Sequence, residues 1–227
     1  MSDAVQAKPS GEISLSGLRL WGREAAFNVQ KVLWCLDELG IDDFERIDAG
    51  QHHGRNKEPA FLAMNPNGRI PVLQAGDFAL WESHAIIRFL CAQHGQGALG
   101  AADIRAWAIA DQWMDWAATT LYYPTFRTYY IYRARTPKAD QDDALVQRMT
   151  REVHDILRIA EQQLTRTPYI AGEALTMADF AFGVMVDKWA RLDDTGERFP
   201  ALLRYHGRLA GRRAFERRVA RFAPDAV

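Results

Sequence analysis

The sequence predicts an α+β domain followed by an all-helical one, on three observations. Apolar residues between Leu18 and His94 alternate between strand-like and helix-like periodicity, Gly95 to Gly100 holds three glycines and no periodicity, and every later pattern is helical. With 227 residues and 48% hydrophobic content, the chain has enough apolar material for two small domains. The expected organisation is a flexible N-terminal extension over 1–16, a mixed domain over 17–95, a linker over 96–101 and a helical domain over 102–227.

Leu18 to Trp21 reads as a short strand, and Asn28 to Leu39 as a helix whose Val29, Val32, Leu33, Leu36 and Leu39 share one side. Gly40 ends it, glycine being the residue that most easily takes the left-handed conformation there. Phe44 to Asp48 follows as a strand and Lys57 to Ala63 as a short helix. Ile70 to Leu73 and Phe78 to Trp81 form a hairpin about Gly76-Asp77, and Ser83 to His94 forms a third helix. The order is βαβαββα. In the helical part, breaks fall near Thr136-Pro137, Thr167-Pro168, Asp193 to Gly196 and Phe199-Pro200. Thr176-Met177-Ala178-Asp179 is a capping box, flanked by Leu175 and Phe180 as a hydrophobic staple, and its role is folding.

Composition excludes several functions. Lys plus Arg (28) nearly balances Asp plus Glu (29), so no global field draws the chain to nucleic acid or a charged membrane. No apolar run reaches the length of a membrane span, and residues 1–16 lack a signal-peptide core. Cys35 and Cys91 are too few for a disulfide framework and lack metal-ligand spacing, which places the chain in a reducing cytoplasm. Both cysteines read as core packing. His52 and His53 are loop residues without partners for a metal, so none is expected. The run Gly211 to Val219, rich in arginine, reads as a solvated helix face rather than a phosphate-binding patch.

The chemistry concentrates in Asn65-Pro66-Asn67-Gly68-Arg69-Ile70-Pro71-Val72-Leu73 and Trp81-Glu82-Ser83-His84-Ala85-Ile86. Asn-Pro-Asn-Gly is turn chemistry, and a proline opening an apolar strand is an edge or a cis feature. A cis Ile70-Pro71 bond turns the Ile70 N–H and C=O outward, free to pair with an extended ligand as an added strand would. Glu82 and Ser83 open a helix whose unpaired N–H groups, with the two side chains, suit a ligand bearing both carboxylate and ammonium. The pattern describes a site for a small peptide.

These motifs resemble the glutathione transferase superfamily, whose N-terminal thioredoxin-like domain carries NP-x-G-x-(I/V)-P-x-L and E-S-x-A-I. The likeness runs from Leu18 to about Val219 and is closest from Gly22 to Leu90, with a theta-, phi- and zeta-like bacterial character. It implies that glutathione, as co-substrate, is held by Ile70, Pro71, Glu82 and Ser83, with Lys57 or Arg69 on the remaining carboxylate. Related members donate a serine hydroxyl to the glutathione sulfur from the loop before the first helix. Here that position falls on Ala25 or Ala26, and no Ser, Thr, Tyr or Cys lies between Leu18 and Leu33. Asn28 is the substitute donor, or else the helix N-cap. The helix-start N–H groups, Arg23 and a tyrosine of the second domain are the other donors weighed. The resemblance further implies a hydrophobic electrophile pocket lined by Trp116, Tyr123, Phe126 and Tyr130, and a homodimer. The expected function is conjugation of glutathione to small hydrophobic electrophiles, a detoxifying reaction. Its rivals are a non-catalytic binder of glutathione or hydrophobic ligands, and a glutathione-dependent isomerase or lyase.

Overall fold

The computed structural model describes residues 16–193 and 199–222. Apart from Ser16, the expected extension over 1–16 lies outside them, as does most of the break expected at Asp193 to Gly196. The mixed domain is a four-stranded sheet of β1 (Arg19–Trp21), β2 (Glu45–Ile47), β3 (Val72–Ala75) and β4 (Phe78–Trp81), in the order β2-β1-β3-β4. β1 runs parallel to β2, with Leu20 opposite Arg46. It runs antiparallel to β3, with Leu20 opposite Leu73, and β3 and β4 form the expected hairpin. A parallel neighbour requires a crossover, which α1 (Phe27–Glu38) supplies. α2 (Pro59–Met64) begins on its proline, two residues later than the sequence suggests, because proline's fixed φ suits the first helical turn. β3 likewise starts after Pro71, which has no N–H to give a ladder.

α1 and α3 (Ser83–His94) cover one side of the sheet. Between them the Cys35 and Cys91 thiols are free, buried and 3.8 Å apart, and burial pushes the Cys35 thiol up. Both act as small apolar side chains.

The helical domain starts at α4 (Ile104–Trp116), capped by Asp103, whose carboxylate accepts from the Arg105 and Ala106 N–H groups. The aromatic segment expected as one helix continues through a π-helical stretch, Ala117–Phe126, into α5 (Arg127–Arg135). Wider π turns rotate the side chains that follow relative to an α-helical register. α6 (Asp143–Leu164), α7 (Met177–Leu192), α8 (Pro200–Ala210), α9 (Arg213–Phe215) and a π turn over Glu216–Ala220 complete it.

α7 is the buried axis, with every residue from Met177 to Trp189 inside. Its capping box forms as the sequence indicates, the Thr176 N–H donating to Asp179 at 2.7 Å. Asp179 also accepts from the Ile170 N–H at 3.2 Å and the Tyr205 hydroxyl at 3.0 Å. Burial raises its carboxyl to about 6 against these bonds.

Trp34 on α1 joins the two domains, meeting Phe180 and Phe215 edge-on at 4.9 and 4.8 Å between ring centroids. Gly183 permits this approach, since a Cβ there would stand 3.0 Å from the indole and 2.6 Å from Leu209. The arginine run is only in part the solvated face the sequence suggests: Arg213 and Arg217 are exposed, while Arg212 and Arg218 are half-buried in ion pairs. Arg212 grips Glu38 at 2.7 and 2.5 Å, and Arg218 bridges Asp37 at 2.8 Å and Glu24 at 2.9 Å. Arg217 pairs with Asp37 at 2.5 Å and Arg221 with Glu24 at 2.6 Å. The carboxylates that neutralise the run lie about 180 residues away in sequence, out of reach of any local pattern.

Candidate active site

The turn before β3 is built by Asn65. Its amide donates to the Arg69 carbonyl at 2.7 Å and its carbonyl accepts from the Asn67 N–H at 3.0 Å, which fixes the chain entering Ile70. The Ile70-Pro71 bond is cis. Among the described residues no hydrogen bond engages the backbone of Ile70. Its side chain lies against Gly22, where φ is +149° and a Cβ would stand 3.3 Å from it; only glycine allows the end of β1 to pass so close.

Across from Ile70, Glu82 holds φ at +70°, outside the usual range of a residue other than glycine. That conformation costs about 1–3 kcal/mol. It turns the chain sharply from β4 into α3, so that the N–H groups of Ser83, His84 and Ala85 open the helix ahead of the first intrahelical bond, Ile86 N–H to Glu82 C=O. Asn28, Asn65, Arg69, Ile70, Pro71, Glu82, Ser83 and Tyr123 line a cavity of about 40 Å³. Asn28, Glu82, Ser83 and Tyr123 also line its neighbour of about 300 Å³, with Lys31, His84, Arg88, Asp115 and Tyr122. The two share four residues and form one cleft.

The structure therefore brings together Asn28, Arg69, Ile70, Pro71, Glu82, Ser83 and Tyr123. Lys57 stands apart from this lining, its ammonium folded over the Asn65 to Gly68 turn, where a Cβ on Gly68 would meet it at 2.8 Å. Phe126 is fully buried and Tyr130 nearly so. They stack at 5.9 Å and pack on Phe27, in the core rather than on the cleft, because the π turns rotate them inward. Trp116 packs edge-on between Trp113 and Phe182. Of the four aromatics, Tyr123 alone faces the cleft among the described lining residues.

Asn28 cannot be the N-cap. α1 begins at Phe27 with Ala26 in the cap position, whose carbonyl accepts from the Val29 and Gln30 N–H groups at 2.8 and 2.9 Å. Asn28 is the second helical residue, and its side chain is left free for the cleft. Ala26 has no side-chain oxygen to satisfy the helix start. The Phe27 and Asn28 N–H groups thus remain as donors at the positive end of a twelve-residue helix.

One turn on, Lys31 is 2% exposed, with its ammonium 3.2 Å from Nε2 of His84 and 4.7 Å from the Phe27 ring centroid. Burial pulls it down to about 7, partly opposed by the Glu82 carboxylate. Burial, then Lys31 and Arg88, hold His84 well below the usual histidine range, so its neutral ring accepts from Lys31. Sequence reading missed this pair. The signal was present in the spacing of Asn28 and Lys31, which puts both on one helix face.

The chain is similar to known proteins in both of its parts. The family model "Glutathione S-transferase, N-terminal domain" matches residues 28–93, and "Glutathione S-transferase, C-terminal domain" matches 143–208. The chain is 34% identical over 204 residues to glutathione S-transferase GstB of Escherichia coli K12, covering 89% of this chain and 97% of that one. It superposes with a TM-score of 0.83 and 34% identity on the theta class glutathione S-transferase of Xanthomonas axonopodis pv. citri with glutathione bound, covering 92% and 99%. Glutathione transferase F2 of Populus trichocarpa, at 24% identity, TM-score 0.77 and coverage of 88% and 96%, shares the fold. The chain belongs to the glutathione S-transferase family.

Proposed function

We propose that this protein conjugates glutathione to small electrophiles, with Asn28 and the first-turn N–H groups of α1 holding the sulfur as thiolate. The reading is carried by one observation: Asn28 shares a single cleft with Ile70, Glu82 and Ser83. The Ile70 backbone takes the cysteinyl unit as an added strand. The start of α3 with Glu82 and Ser83 takes the γ-glutamyl carboxylate and ammonium, and Arg69 the glycyl carboxylate. Tyr123 adds a hydroxyl to the cleft where Ala25 and Ala26 provide none. A thiol with an ordinary pKa of about 8.5 is mostly protonated at neutral pH, so fixed donors at the sulfur raise the reactive fraction. The chain works as a cytoplasmic homodimer in detoxification, a role supported by its two free thiols and by Ile104 and Ile109 exposed on α4.

The alanines favour a second reading, a binder without turnover. Titrating the thiolate absorbance of bound glutathione separates the two. A thiol pKa below that of the free tripeptide, lost in Asn28→Ala, supports the transferase. An unshifted pKa with intact binding leaves the binder.

A further inference from the structure

A second cavity, of about 410 Å³, lies on the other side of the loop from β1 to α1, lined by Arg23, Glu24, Ala25, Arg46, His53 and Phe222 among others. Ala25 in its lining directly precedes Ala26, the cap residue of α1. Gly50, next to the lining residues Gln51 to His53, stands against the Ile70 side chain, where a Cβ would be 3.0 Å away.

The charges in this lining are unequal in their company. Arg46 is paired with Asp48, and Glu24 with Arg218 and Arg221. Arg23 is 9% exposed, its Nε is buried without a hydrogen-bond partner, and among the described residues no carboxylate pairs with it. Burial, and then the charge of Arg135, hold the Arg23 guanidinium below its usual range, with the Tyr130 phenol acting the other way. A buried guanidinium with an unpartnered Nε, in the field of a second cation, is an arrangement that an anion would relieve. A planar carboxylate fits the guanidinium fork.

We propose that this cavity receives the electrophile and that the electrophile carries a carboxylate, which Arg23 binds. The inference rests on the transferase reading for its chemistry. The thiol proton passes to solvent, and the glutathione thiolate adds to the ring carbon bearing a halide, the C–S bond forming as an electron pair moves onto the nitro-activated ring; that pair returns as the C–halogen bond breaks and the halide leaves with the bonding pair. Arg23 holds the far end of the substrate and takes no part in the bond changes.

The test compares 4-chloro-3-nitrobenzoate with the neutral 4-chloro-3-nitrobenzamide, which differ in charge and little in shape. Because the carboxamide activates the ring more than the carboxylate does, each kcat/KM is divided by the rate constant of the same substrate with glutathione in buffer, and this normalised value should favour the acid at least tenfold in the wild type. Arg23→Gln should bring the normalised ratio near one, Arg23→Lys should keep part of it, and Arg158→Gln, which removes an arginine on α6 outside the cavity, should leave it in place. Binding of unreactive 4-nitrobenzoate and 4-nitrobenzamide to the glutathione-saturated protein is measured alongside. If neither substrate turns over but 4-nitrobenzoate binds at least tenfold tighter than its amide, and loses this in Arg23→Gln, the transferase reading fails while the anion site stands. Equal normalised kcat/KM and equal binding for acid and amide, or a preference unchanged in Arg23→Gln, overturns the proposal.

Discussion

The cleft from Ile70 to Ser83 and the wall from Arg23 to Ala26 flank the same proposed sulfur, yet they are made of different material. The cleft is mostly backbone: a cis Ile70-Pro71 bond, a positive φ at Glu82 and the opening N–H groups of α3. Each arises from a few contiguous residues whose steric limits act locally. The wall depends on side chains fixed from far away, such as Arg218 reaching Glu24 across 194 positions and Tyr130 acting on the charge of Arg23. A backbone-built surface recognises what all its ligands share, whereas a wall assembled over long range can change its specificity while the fold is kept.

The largest expected effect tests how strongly the cleft is committed to a ligand at the expense of stability. Lys31 has a folded pKa of about 7 against an ordinary lysine value of 10.5, so between those values the unfolded chain binds a proton that the folded chain does not. Stability should therefore rise with pH across that window, by roughly 3–5 kcal/mol at about 1.4 kcal/mol per unit. Below about 7 the ammonium remains charged at the cost of its burial, which the Glu82 carboxylate offsets only in part. Lys31→Met should flatten the rise and stabilise the protein most at and below neutral pH, as urea denaturation from pH 6 to 10 would show. Parallel curves for the two proteins would remove Lys31 from the account.

Next in size, Asn28→Ala should lower kcat/KM for conjugation by about 2.7–4 kcal/mol of transition-state stabilisation, the loss typical of one preorganised donor. A smaller loss would move the thiolate to the first-turn N–H groups or to Tyr123. Serine placed at Ala26 should stabilise α1 as an N-cap by about 1 kcal/mol. Comparing its rate with that of Ala25→Ser would show which of the two projects toward sulfur.

Glu82→Ala should weaken glutathione binding by about 1–3 kcal/mol, since a charged hydrogen-bond partner is lost from an otherwise backbone-made site. Calorimetry giving the same constant in a folded variant would mean that the helix start alone holds the ligand. The smallest effect belongs to the wall. Arg218→Ala breaks contacts to Asp37 and Glu24 that are partly buried, at a cost to stability of about 1–2 kcal/mol, with glutathione affinity unchanged. Altered affinity in that variant would show that wall and cleft are coupled, and the contrast between them would fail.

What the sequence by itself determined were the features whose causes are local. The strand and helix order, the Thr176 to Asp179 capping box, the cis proline and the opening of α3 at Ser83 follow from residues within a few positions of one another, because φ/ψ limits, capping and side-chain periodicity act over that range. Helix starts shifted by one or two residues where a neighbour competed, so that Ala26 and not Asn28 became the cap and Pro59 opened α2. The rest was decided by the tertiary structure. Phe126 and Tyr130 turned into the core because π turns set their direction, and the terminal arginines found Glu24, Asp37 and Glu38 on α1. Lys31 and Arg23 became buried cations, one against a neutral histidine and one in the field of another arginine. Burial and charge pairing depend on which distant segments the packing brings together, and neither spacing nor composition carries that information.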